Sequence, residues 1–475
     1  MTEMIPGDGP RSDQARVRER ERRVLRSGAA SAAHQVLSAL CTVATVPLVI
    51  RRLTPEEFGV WITLSSVLLL LGFLDLGIGS ALVGAMARVQ AAGDKARAQE
   101  MISSAFLGLT ALSTVLGGLF WAVYPHVPWG RLLGVPPSGP RASASLSVAV
   151  VVVGILASLP LNVAARAQTG LQEGESVVVW RSVGTVVQLA SIVVMFVVDA
   201  SLVWFVVAVA AGPVLGNLAN SIALFAGARG WLHVRVSKAS VETFRELASA
   251  GFLFFVLSLA FTVAYQSDVL LVAHYLGSAK AGEYGVPFRL FMFVPTIVGL
   301  ALLPLWPAYA DAWHAGDRAW IEKTFRRSSL FALSANGAAG LALLLLARPV
   351  LRLWVGDAVR PSTTFLFAMF LYVLVWGASG TMAMLLNGCN VVKFQIVVAV
   401  AMVAVNLPLS IALLSPLGVA GPVVGTLVAQ TGMVLVPTLL YKRVLLRRAG
   451  EGQTSTTGAQ DYWRDSGRRA DTARS

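Results

Sequence analysis

Charged residues are scarce in this chain of 475 residues: Asp, Glu, Lys and Arg together make up 13% of it, whereas 56% is hydrophobic. Soluble domains carry about 25% charged and roughly 45–50% apolar residues. A soluble fold with so little charge would lack the polar surface that keeps a protein in solution. The composition therefore excludes an ordinary soluble protein.

Reactive and metal-binding residues are also few. The two cysteines, Cys41 and Cys389, lie in or beside apolar runs, which argues against a disulfide framework and a zinc site. The sequence has no Gly-x-x-x-x-Gly-Lys loop for nucleotide phosphates and no histidine cluster with metal-ligand spacing. Residues 1–28 are Arg-rich and lack the apolar core of a cleavable signal peptide. We therefore expect no catalytic centre, no bound metal and no intrinsic ATP hydrolysis.

Apolar runs of about 20 residues fill most of the chain, and a helix of this length crosses the ~30 Å hydrocarbon core of a membrane. Barrel strands are shorter, at ~10 residues, and alternate in polarity. We predict an all-α polytopic membrane protein with about twelve transmembrane helices. The predicted spans cover residues 29–50, 58–84, 101–124, 143–165, 178–198, 202–227, 250–273, 284–308, 328–347, 363–386, 395–414 and 419–441.

The positions of Lys and Arg predict the orientation of these spans. With the N-terminus inside, 29 of the 38 lie in the tails and inner loops and 8 in the outer loops. Cytoplasmic segments carry such an excess, so both termini are predicted to be cytoplasmic. The net charge of +13 is then expected to face anionic lipid headgroups, and nucleic acid is not expected as a partner.

A weak internal repeat divides the chain. We predict a basic N-terminal arm (1–28), a first six-helix bundle (29–227), a linker (228–249), a second six-helix bundle (250–441) and a polar tail (442–475). Six is even, so the halves would be related by a pseudo-two-fold axis along the membrane normal. Alternatively, Gly-Asp turns recur by chance, because Asp commonly caps helices. The three matches pair Gly59 with Gly285, Asp94 with Asp317, and Gly170 with Gly388.

Several of these stretches also resemble a known family. Leu53–Trp61, Leu74–Gly79 and Gly93-Asp94 are similar to the first two spans of polysaccharide flippases of the O-antigen or exopolysaccharide type. That family lies in the MATE-like superfamily of multidrug, oligosaccharidyl-lipid and polysaccharide exporters. In the second half, Asp268–Gly277 and Gly282–Gly285 resemble the same family.

The resemblance implies a MATE-like fold in which two bundles surround a central cavity. It implies a multi-pass protein of the bacterial inner membrane that moves an undecaprenyl-diphosphate-linked oligosaccharide between leaflets by alternating access. Membrane lipid, that glycan and polysaccharide polymerase or assembly proteins would be the partners. No cofactor is expected, and a proton or sodium gradient is the candidate source of energy.

Three other functions are weighed against this one. An ion-coupled multidrug or cation antiporter of the same fold would need acids in its cavity, where only Asp75 and Asp268 qualify. Lipid II flippases are expected to have fourteen spans, whereas twelve are predicted here. A membrane polymerase or ligase would need an outer acceptor site, and the outer loops are short.

Ionisable residues within spans are the first candidates for function, because a charge at mid-bilayer is costly unless it is paired or hydrated. Asp268 and Arg289 flank one hairpin at similar depth, and we predict that they pair. Arg289 could present its donors to a lipid diphosphate, or the pair could only pin two helices. Asp75 could bind a proton or cation, or could hydrogen-bond a neighbouring helix beside Gly77 and Gly79.

Other candidates lie closer to the cytoplasmic interface or are uncharged. Arg166 and Arg181 flank the loop between spans four and five, where they could snorkel to headgroups or form an inner gate that first meets the diphosphate. Two residues near the inner end of span one could form a proton relay, or they could only make ordinary polar contacts at the membrane interface. Further polar positions could line a sugar-accepting cavity or join helices. The residues near the inner end of span one are His34 and Gln35, and the further polar positions are Asn162, Gln188, Asn217, Asn220, Gln266, Asn336, Asn406 and Gln430.

Overall fold

The computed structural model describes residues 10–69, 75–227 and 230–445, and every regular element in these ranges is helical. The first eight helices are α1 (Pro10–Ile50), α2 (Pro55–Leu69), α3 (Ile78–Ala92), α4 (Lys95–Val123), α5 (Trp129–Leu132), α6 (Arg141–Gly170), α7 (Gly174–Val197) and α8 (Leu202–Phe225). The others are α9 (Val241–Leu276), α10 (Ser278–Leu302), α11 (Leu305–His314), α12 (Arg318–Val355), α13 (Thr363–Gly388), α14 (Val392–Leu417) and α15 (Gly421–Ala429).

Ten helical segments within the described ranges are long and apolar enough to cross a membrane. The last of them, Lys393–Leu445, contains both α14 and α15, and its chain reverses at Gly418, which has a φ of 55°. Beyond α15 the helix continues through a π-helical stretch, Gln430–Leu435. The prediction of an all-α, multi-pass protein is confirmed. The count of twelve spans and the cytoplasmic placement of both termini stay predictions.

Most helices extend beyond the predicted spans, because an apolar run marks only the part of a helix that meets lipid. Helix α9 begins at Val241 rather than residue 250, and the Ser240 hydroxyl accepts a hydrogen bond from the Thr243 amide at 3.3 Å. Helix α12 begins ten residues before its predicted span. Capping side chains satisfy the first amides and so define these helix starts.

The second predicted span, 58–84, is wrong as one continuous helix. Helix α2 ends at Leu69 and α3 begins at Ile78, after a turn in which Leu76 and Gly77 have φ of 52° and 74°. Gly77 also lies against the carbonyl group of Gly251 in α9, where a β-carbon would collide. The break is built from backbone conformation and close approach. The prediction of one continuous span gave too little weight to Asp75, Gly77 and Gly79, which are residue types that favour turns.

The two halves share the turns that the internal repeat predicts. Gly93 and Gly316 have φ of 70° and 69°. The carboxylate after each glycine accepts a hydrogen bond from the backbone amide three residues later, at 2.9 Å in both Asp94 and Asp317. Both aspartates therefore cap helices, which is what a chance recurrence of Gly-Asp turns would also produce. The two turns nevertheless share one backbone geometry.

The third match is closer still, because it places a non-glycine residue in a left-handed conformation in both halves. Gln172 follows α6 with a φ of 60°, and Asn390 follows α13 with a φ of 56°. The backbone amide of the next residue donates a hydrogen bond to the carbonyl five residues before it, at 2.8 Å in the first half and 2.9 Å in the second. The same kind of turn also follows α7 at Asp199, with a φ of 56°, and many helices end in this way. The third match therefore shows a shared turn geometry, and coincidence stays an alternative.

The chain divides into two compact units. The first comprises Met1–Thr262 with Ala273–Gly282, and the second comprises Val263–Val272 with Glu283–Ser475, so α9 and α10 each contribute to both. Leu232 and Leu247, from the segment predicted as a linker, are buried in the core that α3, α4 and α6 form in the first unit. The predicted boundaries of the two bundles stay predictions, and the tail after residue 445 lies outside the described residues.

Candidate functional site

Among the described acids of the second unit, Asp268 is the most buried, with 3% of its surface exposed. It lies on α9, and two hydroxyl groups donate hydrogen bonds to its Oδ2 atom. Tyr284 of α10 donates at 3.0 Å, and Thr426 of α15 donates at 2.8 Å. The Oδ1 atom is also buried but accepts no hydrogen bond from the described residues. Half of the acid's hydrogen-bonding capacity is therefore unused.

The polar cluster around Asp268 continues into α14. Asn406 donates its amide hydrogen to the carbonyl of Ala264 at 2.7 Å, and its Oδ1 atom lies 3.0 Å from the hydroxyls of both Ser410 and Thr426. A hydroxyl carries a single proton. Thr426 can therefore donate to Asp268 or to Asn406 at any moment, but not to both.

This cluster contains more acceptors than donors. The Oε1 atom of Gln430, at the start of the π-helical stretch, is a further buried oxygen without a donor among the described residues. An ionised carboxylate in such a place costs several kcal/mol unless a cation or proton compensates it. Within the described ranges, no three His, Cys, Asp or Glu residues come together as metal ligands. The arrangement suits a proton or a hard monovalent cation held by neutral oxygens.

The predicted pair between Asp268 and Arg289 is wrong. In the described part of the chain the hydrogen bonds to Asp268 come from Tyr284 and Thr426 instead. The helix period explains the outcome, because five residues separate Tyr284 from Arg289 and rotate their side chains about 140° apart around α10. Arg289 is half-buried on a different face from the one that meets Asp268.

Asp75 lies in the turn before α3 in the first unit, not in the middle of a helix. Its Oδ1 atom accepts a hydrogen bond from the Gly77 amide at 2.9 Å, and Oδ2 accepts one from the Gly79 amide at 3.2 Å. A guanidinium nitrogen of Arg166, on α6, lies 3.8 Å from the same Oδ2. These contacts are those of a helix cap joined to a neighbouring helix, which agrees with the structural alternative for Asp75.

Arg166 belongs to a group of basic side chains near the turn between α6 and α7. Arg181 of α7 is exposed and experiences the positive charge of Arg166, and His34 of α1 experiences that of Arg181. The Nδ1 atom of His34 lies 3.1 Å from the hydroxyl of Ser182. The structure thus brings three predicted site residues together with Asp75. Like charges repel, so the grouping is unfavourable unless an anion offsets it.

The remaining predicted residues lie outside both clusters as far as the described contacts extend. Gln188 packs against Gly212 of α8, where close approach of the two helices leaves no room for a side chain on the glycine. Gln188 therefore serves as a helix–helix contact. Gln35 of α1 is exposed, and Asn162 of α6 and Gln266 of α9 are half-buried.

Sequence reasoning missed three members of the Asp268 cluster: Tyr284, Ser410 and Thr426. A signal for two of them was present. Asn406 and Ser410 are four residues apart, as are Thr426 and Gln430, so each pair lies on one face of an otherwise apolar helix. A polar pair at this spacing inside an apolar run indicates a shared polar contact. No comparable signal marks Tyr284.

Comparison with known proteins gives a family and a fold. The family described as polysaccharide biosynthesis protein matches residues 24–313, which is more than half of the chain. The uncharacterized membrane protein EpsK of Bacillus subtilis (strain 168) is 22% identical over 394 residues, covering 80% of this chain and 75% of EpsK.

Solved transporter structures have the same fold. An inward-facing multidrug resistance MATE transporter of the MOP superfamily is 14% identical, covering 87% of this chain and 96% of its own, with a TM-score of 0.73. The lipid II flippase MurJ in an inward closed conformation is 13% identical, covering 88% and 87% of the two chains, with a TM-score of 0.70. The chain belongs to the polysaccharide biosynthesis protein family and is a multi-pass membrane protein with a MATE-like fold.

Proposed function

We propose that this protein moves a lipid-diphosphate-linked oligosaccharide across the bacterial inner membrane, from the cytoplasmic to the periplasmic leaflet, for surface polysaccharide biosynthesis. The observation that carries the proposal is the match of residues 24–313 to polysaccharide biosynthesis proteins in a chain that has a transporter fold. The fold of MurJ, a lipid II flippase, is a precedent for moving a lipid-linked sugar. Transport would proceed by alternating access, with both termini in the cytoplasm.

We further propose that a proton or sodium gradient drives the cycle through Asp268, without a cofactor. Asp268 is an acid within a candidate membrane span, Phe254–Leu276, and such residues commonly mark ion pathways. Its Oδ1 atom accepts no hydrogen bond from the described residues and is the atom that would take up the ion. Binding and release of that ion would change the hydrogen bonds that join α9, α14 and α15.

Deletion of the gene tests the proposed substrate. We expect the deletion strain to lose surface polysaccharide and to accumulate lipid-linked oligosaccharide in the cytoplasmic leaflet, with both effects reversed by the wild-type gene. Polysaccharide polymerase and assembly proteins, the proposed partners, would then lack their substrate. Intact surface polysaccharide without accumulation would contradict the proposal. Drug sensitivity of that same strain would point instead to a multidrug or cation antiporter.

A further inference from the structure

The helix that continues α15 changes its hydrogen-bonding pattern along its length. From Gln430 to Leu435 it is π-helical, and the amide of Val436 donates to the carbonyl of Thr431, five residues earlier. An α-helix makes this bond over four residues, so the stretch holds one residue more than the α pattern needs. Single π-helical turns of this kind occur frequently at functional sites.

Pro437 disfavours the α pattern at this position. It has no amide hydrogen, and in an α-helix its ring would collide with the carbonyl four residues earlier, that of Met433. The π pattern has a cost of its own, because such wide turns are rare. The hydroxyl of Thr438, 2.6 Å from the carbonyl of Val434 and 2.9 Å from that of Leu435, can serve a carbonyl that loses its backbone partner. Both patterns thus carry a cost, which is the condition for a two-state element.

Gln430, the first residue of the stretch, has a polar atom without a partner. The residue is 1% exposed, and its Oε1 atom accepts no hydrogen bond from the described residues. A buried acceptor without a donor is unfavourable, and native structures contain few of them. The π-helical form is therefore under tension at the residue where it begins.

Thr426 connects this helix to the buried acid. Its hydroxyl lies 2.8 Å from Oδ2 of Asp268 and 3.0 Å from Oδ1 of Asn406, and it has one proton to donate. An ionised carboxylate attracts that proton more strongly than an amide oxygen does. Neutralising Asp268 removes this advantage and allows Thr426 to turn to Asn406. The charge of the acid thus decides whether α9 or α14 holds Thr426.

The π-helical stretch begins four residues after Thr426 and touches the same two helices. Met433 packs against a small core that includes Ala264 of α9 and Met402 of α14. Gly432 has no atom within 4 Å of the place of a β-carbon, so nothing blocks a rearrangement on that side. A shift of Thr426 from α9 towards α14 therefore changes the packing of the turn that follows it.

The far end of the same helix is held by α12 and α14. The ring of Tyr441 stacks on Phe394 of α14 with 4.2 Å between the ring centroids, and the ammonium group of Lys442 lies 4.3 Å from the ring centroid of Phe325 of α12. Taking one residue out of a helical turn's register rotates everything beyond it by about 100°, which moves a point on the helix surface by about 8 Å. These ring contacts cannot survive such a rotation.

Resting on the proposed function, in which an ion acts through Asp268, we propose that Gln430–Leu435 is a register switch. The stretch is π-helical while Asp268 holds Thr426, and it becomes α-helical when a bound proton or cation neutralises the acid and releases Thr426. The conversion rotates the helix beyond the stretch and separates Tyr441 from Phe394. Occupancy of the ion site is thereby transmitted to the far end of the helix.

Cross-linking of the purified full-length protein tests the switch. Phe394→Cys and Tyr441→Cys are combined in a protein that also carries Cys41→Ala and Cys389→Ala, and a short bifunctional thiol reagent joins the two positions when they are close. We expect efficient cross-linking with Asp268 present and at least threefold less with Asp268→Asn, whose amide cannot ionise. Equal cross-linking in the two proteins would overturn the proposal.

Deletion of Gly432 shows whether the π-helical stretch carries the effect. The deletion removes the additional residue, so the helix is α-helical throughout and the residues beyond it keep their positions. We expect efficient cross-linking in this protein both with and without Asp268→Asn. Gly432→Ala is the matched control, because it keeps the chain length and its added carbon meets no atom within 4 Å, so the threefold loss should persist there. A loss that also persists in the deletion protein would overturn the switch.

Pro437→Ala is a second variant, which decides if the protein without Gly432 does not fold. It supplies an amide hydrogen and removes the ring, and both changes favour the α pattern. We expect it to lose cross-linking at least threefold even with Asp268 unchanged. Wild-type cross-linking in folded Pro437→Ala protein would overturn the two-state balance.

The outcome is separable from that of the proposed function. If the strain that lacks the gene keeps its surface polysaccharide while the cross-linking results are as expected, the switch stands and the transported glycan is rejected. If that strain accumulates lipid-linked oligosaccharide while Asp268→Asn cross-links as the wild type does, the function stands and the switch is rejected.

Discussion

The hydroxyl of Thr426 donates a 2.8 Å hydrogen bond to the carboxylate of Asp268, which lies 158 positions earlier in the chain. Tyr284 donates to the same oxygen. Both donors thus hold Oδ2, and Oδ1 is left as the atom at which a proton or cation can be exchanged. This asymmetry within one carboxylate gives the second unit its candidate ion site.

Replacing the acid by its amide tests whether that exchange is needed. Asp268→Asn keeps an oxygen for Tyr284 and Thr426 but cannot ionise, so we expect a folded protein in which an imposed proton or sodium gradient no longer drives transport. The measurement is lipid-linked oligosaccharide transport in proteoliposomes under each gradient. Asp311→Asn, an exposed acid of the same unit, is the control. Wild-type transport by Asp268→Asn would exclude Asp268 as the coupling group.

Asp75 should tolerate the same replacement. In Asp75→Asn the amide oxygen can still accept a hydrogen bond from Gly77, so we expect transport close to that of the wild type and a modest loss of stability. Asp75→Ala removes both capping acceptors and should cost about 0.5–2 kcal/mol of unfolding free energy. Thermal unfolding in detergent and complementation of the deletion strain provide the two readouts. If Asp75→Asn folds well but is inactive, transport needs the negative charge of Asp75.

The duplicated caps should have equal energetic effects. Asp94 and Asp317 are both exposed and both accept from the third amide of their helices at 2.9 Å. Replacing either by Ala should cost about 1 kcal/mol, and replacing either by Ser should cost much less, because Ser is also a good N-cap. Thermal unfolding of the four single variants checks this. Strongly unequal losses would mean that one of the two turns has an additional role.

Close packing between α14 and α15 predicts a further contrast. A β-carbon at Gly425 would lie 2.6 Å from the hydroxyl and 2.9 Å from the α-carbon of Ser410, so Gly425→Ala must displace backbone. We expect a loss of about 1–3 kcal/mol. Gly380→Ala on α13 is the matched control, since nothing lies within 4 Å of its added carbon. It should be neutral or stabilising by up to about 1 kcal/mol. Equal stability of both variants would contradict the packing described here.

Cys389 should be inert in the folded protein. It is 6% exposed in the turn after α13, and burial raises the pKa of its thiol to about 11. The thiolate is the reactive form, and at about pH 8 only about one thiol in a thousand is ionised at any moment. We expect alkylation by iodoacetamide to be slow at about pH 8, to accelerate as the pH rises, and to be rapid after unfolding in detergent. Rapid labelling of folded protein would contradict this burial. Cys389→Ser identifies the labelled position, because Cys41 is the other cysteine.

Features with a local cause could be predicted from the sequence. Apolar runs predicted the helices of most spans, and the Gly-Asp pairs predicted the turns before α4 and α12. The break before α3 had a local signal in Asp75 and Gly77, but the packing of Gly77 against Gly251 of a distant helix could not be predicted. Likewise, depth along a hairpin placed Asp268 near Arg289 but did not fix the helix faces. Tyr284 therefore took the position expected for the arginine.

The turns at Gln172 and Asn390 bear on the predicted internal repeat. The aligned residues differ in type, yet both backbones take a left-handed conformation that costs an ordinary side chain about 1–3 kcal/mol. The backbone torsion angle is therefore the same at a position where the side chain differs. The handedness of turns is thus a feature by which the two halves can be compared where their residues do not align.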